Sequence, residues 1–476
     1  MNKKVFMMLQ ILCFLCISLY ALKAHAKDSE GTVRLSGTTN NQNHRLTTVK
    51  LSDKEILTIE DAIQTALEQN PDIGMARDGV KIAEEALKKT DALFKPRVTL
   101  FSELSTGDAP SAYLFKTIDQ RSFQPNTDFN DPGTFTNIQT GVNVNLNLYK
   151  GGIDSLDTRV AQSDVREKRA ITDQTENMIV SSVIKLFFSV LKADEYVKIA
   201  KQSVETVQEQ ARIMTVRFQG GGVLKSDLLS LEVRLSEAKK DLVESQNLYT
   251  TTTNAFNVLL GNRPDDDIEL ARNCKCPITF PGTYQEAVVI AMEKRPEILH
   301  AKEMIQKARL SLKKADATYL PNVDLNARWY IGSDDLKVNG GSDNYTAAMT
   351  MNWDIYTGNT TQSDIVMAKH GLNLALKNLD KTELAIHQDV RQAYLNHENA
   401  IQRLEVAGKS VDMADESLVL VKQRYEGGSD SVTRYLEAEL ARNRAMLNSA
   451  SAFYDEKIAL SDIAKAMGIL STIWKE

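Results

Sequence analysis

The chain has 476 residues, 42% of them apolar, with only 4 Cys; it can build a core, but it is too polar for a polytopic helical membrane protein and does not have the composition of a disordered, collagen-like or disulfide-stapled chain. Only 10 Pro and 23 Gly interrupt it, which predicts long unbroken elements, helices above all. The formal net charge of −6 falls to −9 without Lys3, Lys4 and Lys23 of the leader described next, which argues against non-specific nucleic-acid binding.

Residues 1–26 read as a secretory signal peptide: Lys3 and Lys4, an apolar run from Val5 to Leu22, then Ala24-His25-Ala26 as a small-x-small cleavage site. An uncleaved membrane anchor is the alternative. Cys13 and Cys16 lie inside the apolar run, and neither follows the small residue of a lipoprotein site, so no lipid anchor is expected. No later stretch reaches the ~20 consecutive apolar residues of a membrane helix. Any membrane-embedded part must therefore be made of strands. Residues 27–50, rich in Ser, Thr and Asn, read as a flexible segment.

The next signal is an internal duplication. Thr58-Ile59-Glu60-Asp61 with Asn70-Pro71 returns 225 residues later as Thr283-Tyr284-Gln285-Glu286 with Arg295-Pro296. Each Thr with its acid three residues on is a capping box, and each Pro suits the first turn of a following helix, so both halves are expected to open with two short helices. Lys95-Pro96 and Leu320-Pro321 keep that offset. Tyr149-Lys150-Gly151-Gly152 and Tyr356-Thr357-Gly358-Asn359 stand 207 apart, as do Arg217-Phe218-Gln219-Gly220-Gly221 and Arg424-Tyr425-Glu426-Gly427-Gly428. The first half thus carries 18 extra residues between its Pro and its Tyr. The predicted organisation is repeat 1 over residues 51–262, a linker over 263–282, repeat 2 over 283–470 and a short end at 471–476.

Strands surround that length difference. Val142, Val144, Leu146 and Leu148 alternate with Asn143, Asn145 and Asn147, and Met349, Met351, Trp353 and Ile355 alternate with Thr350, Asn352 and Asp354. Val323 to Trp329 gives a third strand and Val98 to Leu104 a weaker fourth. Each has roughly the 9–11 residues of a tilted transmembrane strand. A sheet packed on helices in a soluble protein fits the alternation too. In lipid, four strands cannot close a barrel and an open edge is excluded, so that reading requires several chains to pool their strands. Residues 105–137, with Asp108-Ala109-Pro110, Gln124-Pro125-Asn126 and Asp131-Pro132-Gly133, read as a long outer loop, and residues 331–346 as its short counterpart.

After each strand pair, residues 154–219 and 361–426 contain no Pro and almost no Gly, a span of roughly 99 Å as helix. Val197, Ala200, Val204, Val207, Ala211, Met214 and Phe218 follow a 3,4 spacing, and Leu404, Ala407, Val411, Ala414, Leu418, Val421 and Tyr425 keep it 207 residues on. This is a coiled-coil seam. Leu224, Leu228, Leu231, Leu235, Ala238 and Leu242 continue the spacing on a returning helix, so each half ends in a long helical hairpin with its tip at Gly220-Gly221-Gly222 or Gly427-Gly428.

In the order and doubled spacing of these features the chain resembles the TolC-type outer-membrane efflux channels, the outer-membrane factors of tripartite export systems in Gram-negative bacteria. The resemblance rests on Thr58 with Asn70-Pro71, Thr283 with Arg295-Pro296, Leu148 to Gly152, and the tips at Arg217-Phe218 and Arg424-Tyr425 with Leu229 and Leu436 beyond. It implies a mainly α fold with β: two tandem repeats, coiled-coil hairpins forming a periplasmic α-barrel, and four strands per chain in a homotrimeric 12-stranded β-barrel. It further implies a passive duct in outer-membrane lipid, docked through a periplasmic adaptor to a proton-driven efflux pump or to an ATP-driven pump of type I secretion.

In such channels acidic residues past the second tip ring a closed periplasmic aperture. The two positions fall on Arg434 and Glu437, and only Glu437 is acidic. Arg434 and Glu437 read either as an i,i+3 surface pair or, repeated around a narrow pore, as a selectivity ring. The family's latch arginine falls on Asp430, a departure, whereas Tyr425 keeps its place beside Gly427 and Gly428. At the first tip, Gly220, Gly221, Gly222, Lys225 and Asp227 are assigned to adaptor contact.

Little other chemistry is legible. Gly220 to Ser226 superficially suggests a phosphate loop, but Leu224 stands where that loop needs Gly, and a helix precedes it. No His pair has zinc spacing, no catalytic constellation stands out, and no cofactor is expected. Cys274-Lys275-Cys276 is open to three readings: inert thiols, a strained disulfide, or soft-metal binding. The rival function is a trimeric surface adhesin anchored by pooled strands, although adhesin anchors carry all four strands at the C-terminus, whereas here both pairs are internal.

Overall fold

A computed structural model describes residues 56–272, 281–334 and 342–474. Helix α1 (Ile59–Gln69) starts where the Thr58 hydroxyl accepts the Asp61 N–H and the Thr58 N–H donates to the Asp61 carboxylate, the full capping box. Ile59, Ala62, Ile63, Ala66 and Leu67 form its buried stripe. Asn70 then caps α2 (Pro71–Thr90) by accepting the Asp72 N–H at 2.9 Å, and its amide donates to the Leu259 carbonyl at 2.8 Å. The counterparts are α6 (Tyr284–Lys294), where Thr283 makes only the first half of the capping exchange, and α7 (Pro296–Ala317).

Four strands form one antiparallel sheet in the order β2 (Arg97–Gly107), β3 (Phe135–Lys150), β5 (Asn322–Ser333), β6 (Asp343–Asn352). A separate parallel pairing joins β1 (Ile56–Leu57) to β4 (Glu269–Leu270). In the four-stranded sheet the register puts Phe101, Gly141 and Tyr330 in line, with Thr99, Asn143, Arg328 and Thr346 beside them. One face is therefore polar, and the other carries Leu100, Val142, Trp329 and Tyr345. Among the described residues no helix covers that apolar face: Leu100 is 66% exposed and Met349 69%. The soluble reading, which needs helices over these residues, does not describe this sheet.

Three details differ from the sequence reading. The loop at residues 105–137 contains a helix, α3 (Pro110–Asp119), because Pro110 sits at its first turn, where a missing N–H costs nothing, instead of making a bend. Strand β3 is 16 residues long and begins at Phe135, before its alternation becomes visible. Strand β6 stops at Asn352, because its partner β5 begins at Asn322 opposite it. Trp353 and Ile355 lie past that end, and the Trp353 indole N–H donates instead to the Tyr319 carbonyl at 2.9 Å.

Gly151 and Gly152 (φ 62° and 78°) turn the chain from β3 into α4 (Ile153–Gln219), and Gly358 and Asn359 (φ 62° and 68°) turn it into α8 (Thr360–Glu426). The left-handed conformation explains why the motif after each Tyr holds Gly or Asn. Both helices have 67 residues, about 100 Å of helix each. The return helices are α5 (Lys225–Leu260) and α9 (Val432–Ala466), and α10 (Leu470–Ile473) follows.

The largest core cluster lies midway along α4, where Val180, Val183, Ile184 and Phe187 pack with Ile59, Ile63, Phe256 and Leu260. Phe187 meets Phe188 and Phe256 edge to face at 5.7 and 6.1 Å. A second cluster joins α6, α8 and α9 through Ala291, Val390 and Ile463. The seam residues on both hairpins are buried or half-buried, except Phe218 at the first tip and Leu224 just past it.

Candidate functional site

The two hairpin tips are built by the same local chemistry. At the first, the Gly220, Gly221 and Gly222 N–H groups donate to the carbonyls of Val216, Phe218 and Arg217 at 3.1, 3.0 and 2.9 Å. At the second, Gly427, Gly428 and Ser429 donate to Gln423, Tyr425 and Arg424 at 3.0, 3.1 and 2.9 Å. Each turn closes its helix with a Schellman-like pattern around one left-handed residue, Gly221 or Gly428, both at φ 75°. The ends differ on the return side. Ser431 caps α9 by accepting the Arg434 N–H at 3.3 Å, and its own N–H donates to the Asp430 carboxylate at 2.9 Å. Leu224, at the matching edge of α5, makes no side-chain cap.

Met214, Leu231 and Val432 form a small apolar core behind the tips, flanked by Val223, Leu228, Tyr425 and Leu436. Tyr425 stacks on Tyr435 with centroids 5.4 Å apart, and the Arg217 guanidinium lies 6.0 Å from the Tyr425 ring. Burial raises the Tyr425 phenol, with a smaller upward push from Asp227 against the downward pull of Arg217. Tyr435 is 3% exposed, and burial, followed by the Glu439, Glu426 and Tyr425 neighbours, pushes its phenol up to about 12. Both hydroxyls stay protonated at physiological pH. The first tip is therefore joined to the second through Met214 and Leu231 against Val432, and through Arg217 beside Tyr425.

Arg434 and Glu437 stand 3.7 Å apart with both side chains mostly exposed, the i,i+3 surface pair of a single chain. Asp430 is half-buried and spends its carboxylate on the Ser431 N–H. Lys225 is exposed and Asp227 half-buried. Cys274 and Cys276 fall outside the described residues, as do the leader and the segment to residue 50. Among the described residues no group of three or more His, Cys, Asp or Glu is placed to hold a metal, and no helix is long and apolar enough to cross a membrane.

Three turns above the tip lies a cluster that sequence reasoning missed. Glu439, 2% exposed, accepts from Ser203 Oγ at 3.1 Å, from Asn443 Nδ2 at 2.5 Å and from Arg234 Nη2 at 3.4 Å. These residues come from α4, α5 and α9, so the cluster ties the first hairpin to the second. Lys192 with Asp455 and Lys185 with Asp462 continue the link between α4 and α9 higher up. A signal was present in the sequence for one of them: Arg234 sits one position before the seam residue Leu235, where a charge on a coiled coil needs a partner, whereas the uncharged Ser203 gave none.

The long hairpins, the exposed apolar sheet face and the paired tips together define an outer-membrane channel subunit, and the comparisons agree. A family model described as outer membrane efflux protein matches residues 62–262 and 287–469. The chain belongs to that family. The outer membrane efflux protein BepC of Brucella suis is 22% identical over 370 residues, 76% of this chain and 74% of that one. The outer membrane protein TolC of Vibrio cholerae is 22% identical across 70% of this chain and 77% of its own. The crystal structure of the Campylobacter jejuni CmeC outer membrane channel superposes with a TM-score of 0.74 at 18% identity, covering 87% and 86% of the two chains, and shows the same fold.

Proposed function

We propose that the protein is the outer-membrane channel of a tripartite export system, a passive duct through which small molecules or secreted proteins leave across the periplasm and outer membrane. The observation that carries this is the sheet: an apolar face uncovered by any helix among the described residues, a polar face opposite, and β2 and β6 as open edges. Such a sheet is stable in lipid only when its edges pair with those of other copies. Three chains then give a 12-stranded barrel, with two tandem repeats in each chain, residues 51–262 and 283–470, joined by the linker 263–282. The hairpins continue the barrel toward the pump, whose adaptor contacts the first tip at Gly220 to Gly222, Lys225 and Asp227. As a duct the protein catalyses no reaction. The adhesin reading finds no support in the comparisons.

At the second tip, Tyr425, Gly427, Gly428 and Asp430 form the closing turn, and three copies of Glu437 with Arg434 set ion selectivity at the aperture. The test is single-channel conductance of the purified protein in a planar bilayer under a salt gradient. Small, steady, cation-preferring currents that lose their preference in Glu437→Gln are expected. Unchanged selectivity in the variant removes the ring, and failure to insert removes the channel.

A further inference from the structure

Helix α3 does not project away from the sheet into solvent. Its C-terminal end is fastened to the polar face, at the end of the strands remote from the long helices. Tyr330 Oη donates to the Asp119 carboxylate at 3.2 Å and Asn344 Nδ2 to the Asp119 carbonyl at 3.0 Å. Gln120 Nε2 donates to Asn137 Oδ1 at 2.9 Å and to the Thr136 carbonyl at 3.0 Å, and Arg121 reaches Asn344 Oδ1 at 3.3 Å. By register, Asn137, Tyr330 and Asn344 all belong to the polar face. Asn137 and Gln139 are consequently buried at this end, whereas Asn145, further along the same face, is exposed.

The attachment is light. Of the ten residues of α3 only Thr117 is buried, and the helix has no side-chain cap at its N-terminus. Phe115 and Ile118 are exposed. Side-chain hydrogen bonds at one end hold the helix, with Asp108-Ala109 before it and residues 122–134 after it free of regular structure. Bonds of this kind exchange readily with water, so the arrangement suits an element that detaches as a unit.

We propose that α3 is a lid over the outer mouth of the duct, docked on the lumen-facing side of the strands through Asp119, Gln120 and Arg121, and lifting for bulky cargo to leave. This rests on the barrel reading, in which the apolar face meets lipid and the polar face lines the lumen. A helix with its side chains is ~10–12 Å across, so three inward-folded copies obstruct much of the mouth.

The test measures access from outside to Asn145→Cys, on the polar face below the lid, in intact cells carrying Cys274→Ser and Cys276→Ser. A bulky polyethylene-glycol maleimide should label it slowly, and a small methanethiosulfonate reagent should label it quickly. In the triple variant Asp119→Ala, Gln120→Ala, Tyr330→Phe the bulky reagent should react at least roughly fivefold faster, the population shift given by about one net hydrogen bond. Equal rates with and without the anchor residues overturn the lid. Leu100→Cys, on the apolar face, should resist both reagents; if it is labelled as fast as Asn145→Cys, the barrel reading fails instead. Should the triple variant not assemble, a staple decides. A Cβ at Gly332 stands 3.7 Å from Gln120 Cγ, so Gln120→Cys with Gly332→Cys can cross-link. Export of a bulky dye should fall on oxidation and recover with reductant, and export unchanged by a complete cross-link overturns the proposal.

Discussion

At the scale of single residues, the buried charges near the tip decide more than the exposed ones. Arg434 and Glu437 face water in the single chain, where such a pair contributes only ~0.2–0.5 kcal/mol, so any role of theirs depends on the copies around the pore. Arg234 and Glu439 are different, with 9% and 3% of their side chains exposed. Arg234 also has Glu237 at 3.5 Å, but removing Arg234 leaves the Glu439 carboxylate buried without its cation. Arg234→Met should therefore destabilise by about 3–5 kcal/mol, whereas Arg234→Met combined with Glu439→Leu should recover most of the loss. Ser203 and Asn443 keep each other in the double variant through their 2.9 Å bond. Thermal unfolding of the purified protein checks both, and a double variant as unstable as the single one refutes the argument.

At the scale of elements, glycines separate two kinds of turn. Gly221 and Gly428 share φ 75°, and a Cβ at either meets nothing within 4 Å. Substitution by Ala there costs backbone strain alone, about 1 kcal/mol. Gly261 and Gly468, also 207 residues apart, have φ 88° and 74°, and a Cβ would stand 2.8 Å from the Gln69 carbonyl oxygen or 2.9 Å from Arg295 Cα. Each closes a return helix over the end of a short helix of its own half. Gly261→Ala and Gly468→Ala should therefore lower the melting temperature clearly more than Gly221→Ala and Gly428→Ala, since strain and a backbone collision add. The tip glycines were legible because a Tyr or Phe and an Arg precede them in both halves. The other pair was not, because a close approach between helices far apart in sequence leaves no local mark.

At the scale of the whole molecule, the sheet dictates where the protein resides. Arg on the lipid-facing side of a barrel costs about 2–4 kcal/mol at the bilayer midplane, whereas a lumen-facing change alters permeation instead. Met349→Arg should thus reduce the amount recovered in outer membranes, while Asn145→Arg should insert normally and shift ion preference toward anions. Fractionation and bilayer recordings test the pair, and equal insertion of both would mean that Met349 does not face lipid.

The sequence by itself determined two unbroken helical segments over residues 154–219 and 361–426, their Gly-marked ends and the strand alternation, because period and punctuation are local properties that one chain writes in order. It also carried the family. Only the tertiary structure decided which side of the sheet α3 covers, that Glu439 draws on Ser203 and Arg234 more than 200 residues away, and where β6 ends. Alternation states that a strand has two faces, but it cannot state what packs on either. Hydrogen bonds between distant segments depend on register, and register is settled only when the strands and hairpins meet.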